Sequence, residues 1–152
     1  VGISWAGGML STRRRLRSTA LSDWLPIFRT AGCRFVSLQY GDRRTEAATL
    51  DHEHGVTLHH WPEAIDDYDE TAALVSALDV VISVQTAVVH LCGALGRRVW
   101  VLVPTHPEWR YLASGESLPW YPSVRVFRQV TLGNWSPVIE RVTHELAQLA
   151  QR

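Results

Sequence analysis

The chain has 152 residues, with 46% apolar and 20% charged side chains, so it can bury the core of one domain and is too apolar for a disordered segment. Its fifteen basic and fifteen acidic residues cancel, which argues against a dedicated nucleic-acid binder. All fifteen basic residues are arginine, so Schiff-base lysine chemistry and a Walker-type phosphate lysine are excluded, while bidentate arginine clamping of phosphate remains open.

The apolar runs are short, β-branched and regularly spaced. They predict strands at residues 1–5, 34–39, 56–60, 80–84, 99–103 and 124–127. Several are continuously apolar, as in Val99-Trp100-Val101-Leu102-Val103, which suits strands buried on both faces of a parallel sheet. Helices are expected between them. One spans 22–30, with Ser22 as N-cap, Pro26 near its first turn and Gly32 closing it. A second spans 69–78 with an acidic start at Asp69 and Glu70, and a third spans 86–95 and ends at Gly96. A fourth spans 137–149, with Ser136 as N-cap, Pro137 in its first turn and a stripe of Val138, Val142, Leu146 and Leu149. The alternation predicts a Rossmann-like, doubly wound α/β sheet of about six parallel strands in a single domain, residues 1–152. Residues 6–21 and 104–123 form the two long connections, and connections of that length are commonly functional.

No apolar run approaches the ~20 residues of a membrane span. Two cysteines, Cys33 and Cys92, make no disulfide framework, and a reducing cytoplasm is the natural expectation. The chain opens directly on a strand, with no signal peptide, which is expected of a piece trimmed from a longer protein.

Ligands of open α/β sheets bind outside the carboxyl ends of the strands. The informative residues are therefore Ser4 to Gly8, Gln39 to Asp42, Trp61 and Pro62, Gln85 to Ala87, and Pro104 to His106. After the first strand stands Ala6-Gly7-Gly8, not G-x-G-x-x-G, so a nicotinamide or flavin dehydrogenase is not expected. The P-loop and the nucleophile elbow are also absent.

The strongest local signal is residues 83–96, where a buried strand gives way almost at once to a helix. Backbone N–H groups at Thr86, Ala87 and Val88 would open that helix, a ready phosphate site. The Thr86 hydroxyl can cap or donate, and His90 lies four residues on, over the same face. Spacing alone slightly favours a plain helix start with a buried, hydrogen-bonded histidine, since most helix starts bind only water.

Other conspicuous groups weigh differently. Arg13-Arg14-Arg15-Leu16-Arg17 is either a solvated run or a phosphate clamp. Asp51-His52-Glu53-His54 with His59-His60 matches no closed zinc spacing and reads as a solvated loop; no metal site is expected. Residues 66–70 read as helix capping on a turn. Trp109, Tyr111, Trp120 and Tyr121 could stack on sugar or base, but packing is favoured.

In order along the chain, these pieces resemble the C-terminal, donor-binding half of a GT-B glycosyltransferase. They run from Val1-Gly2-Ile3-Ser4-Trp5-Ala6-Gly7 through Phe35 to Gly41, residues 70–74 and 77–84, Thr86 to Leu91 and Pro107 to Leu112, to Pro119-Trp120-Tyr121-Pro122. The set is similar to the module that follows tetratricopeptide repeats in many bacterial proteins, to the lipopolysaccharide heptosyltransferases and, distantly, to protein O-GlcNAc transferases. Gln85 stands where those enzymes commonly carry aspartate, which keeps hydrogen-bonding capacity but loses charge.

The resemblance implies a nucleotide-diphosphate sugar held by Ser4 and one basic group among Arg13, Arg14 and Arg15, with Arg13 and Arg15 singled out. Gln39 and Tyr40 would lie near the nucleoside and Trp61 near the base. Gln85, Thr86, Ala87, Val88 and His90 would surround the diphosphate-sugar. It implies an inverting, metal-independent transfer with no cofactor. The catalytic base would lie in an N-terminal, acceptor-binding half, so this chain alone would be inactive. That half and tetratricopeptide repeats are the expected partners in the same polypeptide, and an exposed apolar patch around Trp109 and Trp120 is expected where the half docks. A degenerate scaffold module and a sugar-nucleotide epimerase are the rival readings.

Overall fold

A computed structural model describes residues 1–8 and 14–152. Its centre is one six-stranded sheet in the order β3-β2-β1-β4-β5-β6, with every pairing parallel. The strands are β1 (Gly2–Ser4), β2 (Phe35–Ser37), β3 (Leu58–His59), β4 (Val81–Val84), β5 (Val99–Val103) and β6 (Val124–Arg128). All six expected strands are present; the first four are one to three residues shorter than expected, β5 matches and β6 runs one residue longer.

Strand β5 explains why its sequence is unbroken apolar. Trp100 and Leu102 point into one core layer, while Val99, Val101 and Val103 point into the other. The first layer receives Trp24 and Ile27 from the segment after β1, Leu50, and the stripe Val138, Ile139, Val142 and Leu146. The second receives Ile65, Val75, Val89 and Cys92. Helices thus cover both faces, the doubly wound α/β arrangement that the alternation predicts.

The helices are α1 (Arg14–Arg17), α2 (Leu25–Phe28), α3 (Arg44–His54), α4 (Pro62–Asp66), α5 (Tyr68–Ser76), α6 (Ala87–Ala94) and α7 (Ser136–Ala150). Two expected N-caps are corrected. Ser22 is exposed within a 3₁₀ turn, Leu21–Trp24, that precedes α2; Asp23 accepts the Ala20 N–H at 3.0 Å at that turn's start. Ser136 lies inside α7, and its own N–H is taken by the Asn134 carboxamide at 3.2 Å. The expected helix 22–30 narrows to Leu25–Phe28 with Arg29 as its C-cap, so Gly32 does not close it, while the expected capping by residues 66–70 and by Gly96 holds. The Asp67 carboxylate accepts from Asp69 and Glu70 at 2.8 and 3.1 Å, and Gly96 (φ 64°) turns the chain out of α6.

Residues 51–54, expected as loop, form the last turn of α3 and are exposed. Helix α3 buries only Leu50, so its apolar signal is weak; Asp42, which accepts the Arg44 N–H at 3.0 Å, and Gly55 (φ 64°) bracket it instead. Edge strand β6 is partly covered by the β5–β6 loop, through a Ser117–Arg125 bridge and the Val126 N–H to Glu116 carbonyl bond of 2.8 Å. No helix among the described residues is long and apolar enough to cross a membrane.

Candidate functional site

Strand order reverses between β1 and β4, and a cavity of about 480 Å³ opens at their carboxyl ends. This is the topological switch point, where two loops leave the sheet in opposite directions and a crevice must form. The β1 loop supplies Ala6, Gly7 and Gly8, the β2 end supplies Leu38, Gln39 and Tyr40, and α6 supplies Thr86, Ala87 and Val88. Arg14, Arg43, Ile65, Asp66, Tyr68 and Thr71 complete the wall.

The two loops meet because residue 7 has no side chain. A Cβ there would lie 2.7 Å from the Gln85 carbonyl oxygen and 2.8 Å from Thr86 Cγ2. Thr86 is extended (φ −130°, ψ 170°) and does not cap α6 with its hydroxyl, as had been expected. That hydroxyl shares a 2.9 Å bond with Ser83 Oγ instead. With no side-chain cap, the positive end of α6 faces the cavity through Ala87 and Val88.

Gln39 holds the floor in place. Its Oε1 accepts the backbone N–H groups of Trp5 and Ala6 at 3.0 and 2.9 Å and the Ser4 hydroxyl at 3.3 Å. Its Nε2 donates to the Ala6 carbonyl at 2.7 Å. The carboxamide therefore continues the β1–β2 pairing one step beyond the strands and orders the loop that bounds the cleft. Ser4 and Gln39 are buried, and these bonds occupy their side chains within the protein. Tyr40, in contrast, is 73% exposed on the cavity wall, with Tyr68 also exposed there.

Among the described residues, two cations reach the cleft. Arg43 donates to Glu46 at 2.6 Å and to the Tyr40 carbonyl at 3.2 Å, so much of its charge is matched. Arg14 has no ion pair among the described residues. A shallower groove of about 500 Å³ shares Ala6, Arg14 and Arg43 with this cavity and runs on along α3.

The expected site residues divide. Gln39, Tyr40, Thr86, Ala87 and Val88 line one cavity, and Ser4 braces its floor. Arg15 is exposed on α1 and is not on the wall, whereas Arg14 is; Arg13 lies outside the described residues. Trp61 stacks on His59 (5.7 Å, 6°) and stands apart from the wall. Gln85 is buried, 3% exposed, and neither end of its amide has a partner among the described residues. His90 packs with Tyr111 and Tyr121, each ring 5.9 Å away, and its Nε2 is 3.5 Å from the Tyr111 hydroxyl. Burial, then the nearby Arg110, lowers the His90 pKa, with Glu108 opposing, so the imidazole favours the neutral form.

Sequence reading alone did not single out Arg43 or Tyr68. Both sit in polar stretches whose periodicity carries no ligand signal. The Cys92 thiol is pushed up to about 12, chiefly by burial, and is a core group rather than a nucleophile. No three His, Cys, Asp or Glu side chains converge among the described residues.

Fold and cleft together define a doubly wound parallel α/β domain with a crevice at its switch point. The chain is 38% identical over 154 residues to Protein FlbA of Caulobacter vibrioides (strain ATCC 19089 / CIP 103742 / CB 15), an alignment covering 99% of this chain and 25% of that protein. The chain thus spans about a quarter of the length of this curated relative. No family model matches the chain, and no solved structure matches it.

Proposed function

We propose that this chain is the nucleotide-diphosphate-sugar-binding half of an inverting, metal-independent GT-B glycosyltransferase. The observation that carries the reading is the uncapped start of α6 opening into the switch-point cleft beside Arg14. Fixed N–H dipoles and one arginine suit a diphosphate, and the exposed Tyr40 and Tyr68 rings suit a planar base or a sugar. In the transfer, an acceptor oxygen attacks the anomeric carbon as the bond to the diphosphate breaks. The diphosphate leaves with the electron pair. Helix α6 and Arg14 stabilise that growing negative charge without needing a cation. A base in the acceptor-binding half of the same polypeptide takes the acceptor's proton, and tetratricopeptide repeats are further expected neighbours. The unpaired Cys33 and Cys92 fit a cytoplasmic setting.

Titration with UDP, ADP, GDP and CMP, followed by amide NMR shifts, tests the reading. Saturable shifts are expected at Thr86 to Val88 and at Tyr40 for one diphosphate. If none of the four moves these amides at millimolar concentration, in this chain or in the full-length protein, the donor-site reading falls.

A non-enzymatic interaction module is the second reading, favoured by Gln85 in place of aspartate and by the absence of lysine. Exposed Trp109 and Trp120, whose rings lie 6.2 Å apart, offer a docking surface under either reading, to the acceptor-binding half or to another partner. Under the second reading Thr86→Glu leaves cellular function intact.

A further inference from the structure

A side-chain link joins the cleft to the long β5–β6 loop, residues 104–123. Arg17 ends α1 and is buried, and its guanidinium pairs with the Glu108 carboxylate of the loop. The other Glu108 oxygen takes Arg110 Nη1 at 2.8 Å. Arg110 lies 5.4 Å over the Trp109 ring, and its carbonyl accepts the Trp120 indole N–H at 2.8 Å.

The loop is itself firmly held. The Arg128 guanidinium donates to the carbonyls of Tyr111, Leu112, Ser114 and Gly115 at 2.6 to 3.0 Å. Between them Leu112 sits at φ 57°, ψ 170°, a conformation that a branched residue keeps only when its surroundings impose it. Glu108 is thus a carboxylate on a braced support.

Helix α1 is a single turn, and an isolated turn has no stability of its own. Tertiary anchors must set its position. Arg17 at one end of the turn is anchored to Glu108; Arg14 at the other end lines the cleft.

We propose that Glu108, acting through Arg17, is a positioning residue for Arg14, so that the aromatic loop and the anion-binding end of the cleft form one coupled unit. This rests on the cleft binding a nucleoside diphosphate. The sign of one substitution separates positioning from plain electrostatics. Removing a negative charge near an anionic ligand strengthens binding if charge alone matters. Loosening Arg14 weakens it.

The test is calorimetry on the full chain with ADP, GDP, UDP and inorganic pyrophosphate. For whichever binds wild type most tightly, Glu108→Gln should weaken binding about tenfold. The Arg17→Met/Glu108→Gln pair leaves net charge unchanged and strands no buried charge, so it keeps the test available should the single variant unfold. It should weaken binding as much as the worse single change and no further, because the two residues act in series. Binding by Glu108→Gln, or by the pair, equal to or tighter than wild type overturns the proposal while leaving the donor site standing. Wild type that binds none of the four probes overturns the donor site itself, and the inference with it.

Discussion

Gln39 is the residue on which the shape of the cleft turns. A glutamine can accept from two loop N–H groups and donate to a carbonyl at once, and here it does both within residues 4 to 6. Glutamate has the same shape and no donor. Gln39→Glu sets a carboxylate oxygen against the Ala6 carbonyl and should cost about 1–3 kcal/mol in urea unfolding. Gly93 makes a second single-residue test, since a Cβ there would run into the Tyr121 ring. Gly93→Ala should displace that ring and cost about 1–3 kcal/mol, read as a lowered Tm.

His90 contributes a pH dependence. Its folded pKa lies below the unfolded value of about 6.5, chiefly through burial. Above that value both states are neutral and the contribution is constant. Below it the unfolded chain binds the proton more readily, so stability falls as pH drops toward the folded pKa. Urea midpoints from pH 8 to 5 should fall less in His90→Gln than in wild type, and equal slopes would contradict this account.

At the scale of elements, burial on one face decides stability. Helix α7 turns Val138, Ile139, Val142 and Leu146 into the core and Glu140 to solvent. Leu146→Ala should cost about 2–5 kcal/mol, while Glu140→Ala should stay within about 0.5 kcal/mol, both by denaturant unfolding. Val138, Val142 and Leu146 of this stripe were legible from their helical spacing; Leu149, expected with them, is only partly buried, and Ile139 takes the fourth core place. Helix α3 was not legible, because Leu50 alone is buried and the rest reads as polar loop. Its readable signals were the brackets, Asp42 before and Gly55 after. The caps of α2 and α7 were misplaced for a related reason. Ser22 and Ser136 are good capping types, but side chains one and two residues away, Asp23 and Asn134, had the geometry to accept the free N–H groups.

At the scale of the molecule, the parallel sheet sets two loops apart at its switch point, and α6 delivers its positive end there. Thr86→Glu tests that arrangement. A carboxylate at a helix start favours the helix, so Tm should hold or rise, while nucleoside diphosphate binding in the amide titration should be lost. Loss of Tm together with binding would indicate a packing role instead.

The sequence by itself determined the fold class, the six strands and the helix start at Thr86, because burial on both faces writes continuous β-branched runs and tight strand-to-helix turns. It also pointed to Tyr40 and to Ala87 and Val88 as neighbours of one cleft, since the carboxyl ends of parallel strands share one edge. Only the tertiary structure decided that Arg14, and not Arg15, reaches the cavity, because that choice depends on how a single helical turn is held by contacts from distant parts of the chain, Gly7 and Trp5 to Ser18 and Thr19 and Glu108 to Arg17. It also turned Gln39 inward and His90 toward Tyr111 and Tyr121. Those contacts join residues far apart in the chain, and no local pattern encodes which distant partner a polar side chain will find.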